Sequence, residues 1–132
     1  MESFSIRADC PYPDQLLETL WPKLAEYCEY EVFEYARGRV VTIAFEKYYP
    51  RSLSYLLVAA TLDFTGAGTC QIDILAGGGR EGTTDFAFGS EKRAVTDVIR
   101  IFTDICEAKG WDIREDESER ISERVHDGPL RG

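Results

Sequence analysis

The chain has 132 residues with 44% hydrophobic and 30% charged side chains, the size and balance of one soluble globular domain, so a second full domain and disorder throughout are both excluded. Its 24 acids against 15 bases give a formal net charge of -9 with no basic patch to reverse it, which argues against nucleic acid and anionic membrane surfaces as partners. A single histidine, His126, and four cysteines in four separate segments (Cys10, Cys28, Cys70, Cys106) leave no C-x-x-C pair and no His-rich metal set, so no metal and no cofactor are expected. In chain order, residues 3 to 8 alternate Phe4, Ile6 and Ala8 with polar neighbours, the period of a half-buried strand. Asp14 then reads as the N-cap of a helix carrying Leu16, Leu17, Leu20, Trp21, Leu24, Tyr27 and Cys28 at helical spacing. Pro22 removes one of its hydrogen bonds, so the spacing predicts a kink there or two short helices.

Two hairpins follow. In residues 31 to 47 the odd positions Phe33, Tyr35, Val41, Ile43 and Phe45 share a face if the loop is Ala36-Arg37-Gly38, a three-residue turn with Gly38 in the left-handed region. Residues 54 to 76 repeat the device around Gly66-Ala67-Gly68. Pairing 64 with 70, 62 with 72 and 60 with 74 stacks Phe64, Cys70, Leu62, Ile72, Ala60 and Ile74 inward and turns Thr61, Asp63, Thr65, Thr69, Gln71 and Asp73 toward water. On the same outer face, Val40, Ala44 and Tyr48 of one strand and Tyr55, Leu57 and Ala59 of the next form an apolar patch if the strands are neighbours. Cover by the first helix or the tail is the plain reading of that patch; a homodimer or protein-partner surface is the functional one.

Residues 83 to 88, with Phe86 and Phe88 on one side, read as a short additional strand. Ser90 then caps a long helix with Ala94, Val95, Val98, Ile99, Ile101, Phe102, Ile105 and Cys106 on one broad apolar face, closed by Gly110. The order is β-α-β-β-β-β-(β)-α: a two-layer α+β domain with an antiparallel sheet of four to six strands, a kinked N-terminal helix and a long helix near the C-terminus. The domain is expected over residues 1 to 111. Residues 112 to 132 hold seven acids and four arginines and read as a charged tail, helical or partly disordered.

The densest candidate for chemistry is Gly77-Gly78-Gly79-Arg80-Glu81-Gly82 before the Ser90 helix start. Converging backbone N–H groups, the Arg80 fork and a helix N-terminus suit a small anion or carboxylate, so Gly77, Gly78, Gly79, Arg80 and Ser90 are candidate ligand contacts. The stretch lacks the ending of a phosphate-binding P-loop, and Glu81, Asp85 and Glu91 oppose an anion. A strand-end bulge or loop is its plain reading. Tyr48, Tyr49, Arg51 and Tyr55 around the Pro50 turn suit recognition, or simply cap the wet end of the sheet. Asp63 and Asp73 on the solvated strand face predict ordinary carboxyl behaviour. No nucleophile and base can be paired, so an enzyme is disfavoured and no catalytic residue is assigned.

Ser54-Tyr55, the Gly77-Gly78-Gly79 run and Phe86-Ala87-Phe88-Gly89-Ser90-Glu91 resemble small prokaryotic proteins classed as a domain of unknown function, over about residues 30 to 110. The resemblance implies a compact domain and assigns no activity. The expected function is a binding or interaction domain that is not an enzyme and self-associates through the outer sheet face. The alternative is a helix-grip-like protein with a small molecule between the last helix and the sheet, although that helix face is filled by Val, Ile and Phe. No residues near Met1 form an apolar run of signal length and no stretch approaches a membrane span, so the cytoplasm is the expected compartment.

Overall fold

A computed structural model describes residues 1–28, 31–50, 54–78 and 84–116. The elements in chain order are β1 (Glu2–Asp9), α1 (Pro13–Tyr27), β2 (Val32–Arg37), β3 (Val40–Tyr49), β4 (Ser54–Asp63), β5 (Thr69–Gly77), α2 (Thr84–Lys109) and β6 (Ile113–Glu115). The strands form one six-stranded antiparallel sheet in the order β2-β3-β4-β5-β1-β6, so β1 inserts between β5 and β6. The two-layer α+β architecture expected from the periodicities is the one found.

Both helices lie on one face of that sheet. α1 buries Leu16, Leu20 and Leu24, one residue per turn along a single stripe, and α2 buries Ala94, Val95, Val98, Phe102, Ile105 and Cys106. Opposite them are the inward side chains of the strands, among them Ile6, Ile43, Phe45, Val58, Leu62, Ile72 and Ile74. Each fully buried Leu, Ile or Phe contributes about 1.5–3 kcal/mol of transfer free energy, so this layer carries the stability of the fold.

α1 starts two residues earlier than its sequence signals: Tyr12 is the N-cap without a side-chain bond, Pro13 opens the helix, and Asp14 sits in the first turn, where its charge favours the N-terminal end of the helix dipole. The helix continues unbroken across Pro22. Its C-terminal end takes a cation from outside, because Lys47 Nζ of β3 donates to the Tyr27 carbonyl at 2.7 Å and lies 4.5 Å from the Tyr27 ring centroid.

The second hairpin has the expected register, with Leu62 opposite Ile72 and Ala60 opposite Ile74, and Gly68 at φ 68° closing its loop. The first hairpin differs. Arg37 pairs with Val40 and Val32 with Phe45, leaving the two-residue turn Gly38-Arg39 in place of the three-residue loop Ala36-Arg37-Gly38. Gly38, at φ 60°, occupies the first turn position, where tight hairpins need a positive φ. Arg39 is held onto the end of β4: its carbonyl accepts from Phe64 N–H at 2.9 Å and its Nε donates to the Phe64 carbonyl at 2.9 Å. One residue fewer in the loop turns every side chain of β2 over, so Phe33 and Tyr35 join the outer face instead of the face of Val41, Ile43 and Phe45.

Two further expectations are corrected. Residues 84 to 88 are the first turn and more of α2, not a strand, so Ser90 lies inside the helix rather than at its cap. Gly110 does close the helix, at φ 73°, with Trp111 N–H bonded to the Cys106 carbonyl at 2.8 Å and Gly110 N–H to that of Glu107 at 3.2 Å. Three residues of the segment read as a charged tail form β6 against β1, fastened by Asp9 N–H to the Asp112 carbonyl at 2.8 Å and Asp116 N–H to the Ser5 carbonyl at 3.0 Å. The remainder of that segment, residues 117–132, lies outside the described residues. No helix among the described residues is long and apolar enough to cross a membrane.

Candidate functional site: the open face of the sheet

With α1 and α2 on the inner face, the outward side chains of β2, β3 and β4 have no helix over them among the described residues. Strand pairing places Tyr48 beside Tyr55, Ala44 beside Ala59, and Glu46 beside Leu57. The Tyr48 and Tyr55 rings meet at 4.8 Å between centroids and 47° between planes. Phe33 stands opposite Ala44, and Tyr35 opposite Thr42. Phe33 and Tyr35 are each 66% exposed, Leu57 55% and Tyr55 49%. Four large side chains on one sheet face at that exposure, around the small Ala44 and Ala59, make a contiguous surface that water wets poorly.

Of the outer-face residues singled out from the sequence, Ala44, Tyr48, Tyr55, Leu57 and Ala59 are therefore together. Val40 lies at the other end of β3, paired with Arg37 and Asp63. Phe33 and Tyr35 belong to the surface and were assigned to the core by the wrong hairpin register; the even length of the Gly38-Arg39 turn was the signal that would have placed them.

The other half of the outer face is polar. Arg7, Asp63, Thr65, Thr69, Gln71 and Asp73 line an open recess of about 260 Å³ at the β4–β5 turn. Its groups bind one another: Arg7 Nε donates to Gln71 Oε1 at 3.1 Å and lies 3.2 Å from Asp116 Oδ2, and Ser5 Oγ donates to Asp73 Oδ1 at 2.7 Å. Asp63 does not behave ordinarily. Hydrogen bonds from Thr65, its hydroxyl first and then its backbone N–H at 2.8 Å, hold this carboxyl below the usual carboxylate range. Among the described residues no three His, Cys, Asp or Glu side chains converge in a metal-binding group.

The glycine-rich candidate is described only in part, and α2 begins at Thr84, before the Ser90 start expected for it. Gly77 ends β5 in a buried position, where a Cβ would come within 3.0 Å of the Met1 side chain, and Gly78 has φ 83°. Gly79 and Arg80 lie outside the described residues. Ser90 is buried within α2, and its neighbour Glu91 is buried with a carboxylate oxygen 3.1 Å from the Met1 amino group. A buried carboxylate at this place is a poor neighbour for an anion.

The tyrosine cluster also divides. Tyr48 and Tyr55 face outward, whereas Tyr49 faces inward, where its hydroxyl meets that of Tyr27 at 2.5 Å and Asp97 Oδ2 at 3.4 Å. Tyr27 donates to the same Asp97 oxygen at 3.0 Å, and Arg93 Nε lies 3.8 Å from Asp97 Oδ1. This polar junction ties α1, β3 and α2 together and went unnoticed in the sequence. Its signal was the parity of β3, since Lys47 and Tyr49 continue the inward series of Val41, Ile43 and Phe45. Arg51 lies outside the described residues.

The four cysteines are buried free thiols. Burial pushes Cys28 and Cys106 up to about 11 and raises Cys10 and Cys70 as well, so these thiols stay protonated and unreactive at neutral pH. Comparison with protein-family models, curated proteins and solved structures found no match for this chain. The resemblance over residues 30 to 110 accordingly assigns no site residue.

Proposed function

We propose that this protein is a cytoplasmic interaction domain, not an enzyme, that binds a second polypeptide through the aromatic half of its open sheet face. The observation that carries the reading is the row of Phe33, Tyr35 and Leu57, each more than half exposed on a sheet whose other face holds both described helices. Exposed aromatic side chains offer large contact area at low entropic cost and are enriched in protein contact surfaces. The interior supports this reading over a ligand held between α2 and the sheet. Val98, Phe102 and Ile105 from α2 and Ile72 and Ile74 from β5 have no surface accessible to a water-sized sphere, so that layer is filled by side chains.

The test is a Tyr35→Glu, Leu57→Glu double variant. It should unfold at the wild-type temperature, because both side chains are exposed. It should lose association, whether with a second copy in sedimentation or with a purified protein captured by the wild type. Undiminished association would overturn the reading, and excess mass released from the natively purified protein on denaturation would favour a bound small molecule.

A further inference from the structure

The free edge of the sheet points to how a second copy is met. We propose that β2 pairs antiparallel with β2 of another molecule, about a two-fold axis through Tyr35, so that two sheets become one of twelve strands. The proposal rests on the interaction-domain reading above and specifies its partner as a second copy.

The two edges of this sheet differ. β6 is three residues long, too short to template another strand, whereas β2 has six residues, Val-Phe-Glu-Tyr-Ala-Arg, rich in strand-forming side chains. Natural edges are blunted by charged side chains, proline, a bulge or a covering element. β2 holds no lysine or proline, its pairing with β3 is uninterrupted from 32 to 37, and its inward-facing Glu34 and Ala36 are exposed, so neither helix lies beneath it; the inward charge of Glu34 is a blunting device, and it stays exposed at the edge.

The backbone groups offered by this edge follow from the neighbouring ladder. Phe64 N–H bonds to the Arg39 carbonyl, so 39, 41 and 43 direct their backbone groups to β4, and 40, 42 and 44 direct theirs to β2. Their partners Arg37, Tyr35 and Phe33 are thereby satisfied, and Val32, Glu34 and Ala36 present N–H and C=O outward.

A two-fold pair keeps outer-face residues opposite outer-face residues, which leaves two centred registers. One sets Glu34 directly against Glu34. The other sets Glu34 against Ala36, Tyr35 against Tyr35, and Phe33 against Arg37. The second moves the like charges to a diagonal, makes four hydrogen bonds between Glu34 and Ala36 of the two copies, and lays each Arg37 guanidinium beside a Phe33 ring. Tyr35 becomes a close non-hydrogen-bonded pair, and the exposed aromatic rows of the two copies run together as one surface.

Two measurements decide it. Ala36→Pro removes an outward N–H and places the ring in the seam without touching a bond to β3. In analytical ultracentrifugation it should weaken dimerisation at least tenfold, while Lys92→Gln, an exposed position on α2 away from the sheet edge, leaves the dimer intact. The second measurement is intermolecular disulfide formation under mild oxidation, with all native thiols buried. Tyr35→Cys should cross-link readily and Phe33→Cys slowly, because only position 35 meets itself across the axis. If Ala36→Pro fails to fold, the cysteine pair decides alone. A wild-type monomer at about 1 mM overturns the proposal. Equal cross-linking of the two cysteine variants overturns the register. A dimer split by Leu57→Glu but not by Ala36→Pro overturns edge pairing and leaves the face-docking reading standing.

Discussion

Tyr27 and Tyr49 meet hydroxyl to hydroxyl at 2.5 Å, and both lie within reach of one carboxylate oxygen of Asp97. The distances favour a chain in which Tyr49 donates to Tyr27 and Tyr27, at 3.0 Å, donates to Asp97. That chain joins α1, β3 and α2. Removing the central hydroxyl in Tyr27→Phe should therefore cost about 1–2 kcal/mol in urea unfolding, and Tyr49→Phe less. The two substitutions should be non-additive in a double-mutant cycle. Additive losses would mean the two hydroxyls act separately.

The same junction should make stability depend on pH on the alkaline side. Burial, with the Asp97 charge adding to it, pushes Tyr49 from 10 up to about 12 and raises Tyr27 as well. The folded protein thus keeps protons that the unfolded chain releases. The stabilisation is complete below about pH 10 and is lost as the pH rises from 10 through 12. Urea midpoints measured across that interval should fall more steeply for the wild type than for the Tyr27→Phe, Tyr49→Phe double variant. Parallel profiles would remove the junction as the cause.

Two phenylalanines on adjacent strands report the hairpin register. Phe45 is buried against Tyr27, ring centroids 5.9 Å apart at 86°, and Phe45→Ala should cost about 3–5 kcal/mol. Phe33, on the outer face, should tolerate alanine within about 0.5 kcal/mol. A large loss at Phe33 would restore the three-residue loop.

Gly38 is the residue that enforces that register. A Cβ there meets no neighbour within 4 Å, so the cost of Gly38→Ala is the left-handed backbone alone, about 1–2 kcal/mol. Gly38→Asn should recover part of it. Equal thermal shifts for both variants would point to a different turn.

The thiols provide a probe of the whole fold. With all four cysteines buried and raised, a disulfide reagent at pH 8 should label none of them faster than the protein opens, and all four in urea. A rapidly labelled equivalent would mean that one segment of the core opens on its own.

How much of this was legible depended on whether a residue faces the core. The β4–β5 hairpin was readable because both strands alternate Leu62, Phe64, Cys70, Ile72 and Ile74 against polar neighbours, and Gly68 fits the left-handed position. β2 was not, since it lies beyond the helices and its Phe33 and Tyr35 obey no burial pattern. The first residues of α2 misled for a related reason: Phe86-Ala87-Phe88 alternates like a strand, and Gly89 looks like a break although it sits inside the helix. β6 left almost no trace, because main-chain bonds to Ser5 and Asp9 hold a segment whose side chains are mostly charged. At the open face, Tyr48 and Tyr55 could be paired by strand parity. Tyr49 could not be grouped with them, because neighbours along a strand point to opposite faces.

The position of β1 between β5 and β6 has a consequence for how the chain reaches this structure. Ser5 bonds to Asp73, 68 residues away, so the first strand made is among the last to be paired. During synthesis the β2–β3–β4 meander can close locally while β1 waits for β5, and then for the three residues after α2. Folding is accordingly expected to be slow for a domain of this size and limited by that late insertion. Until it happens, the inner edge of β5 stands open, and Ile6 and Ala8 have no layer to enter.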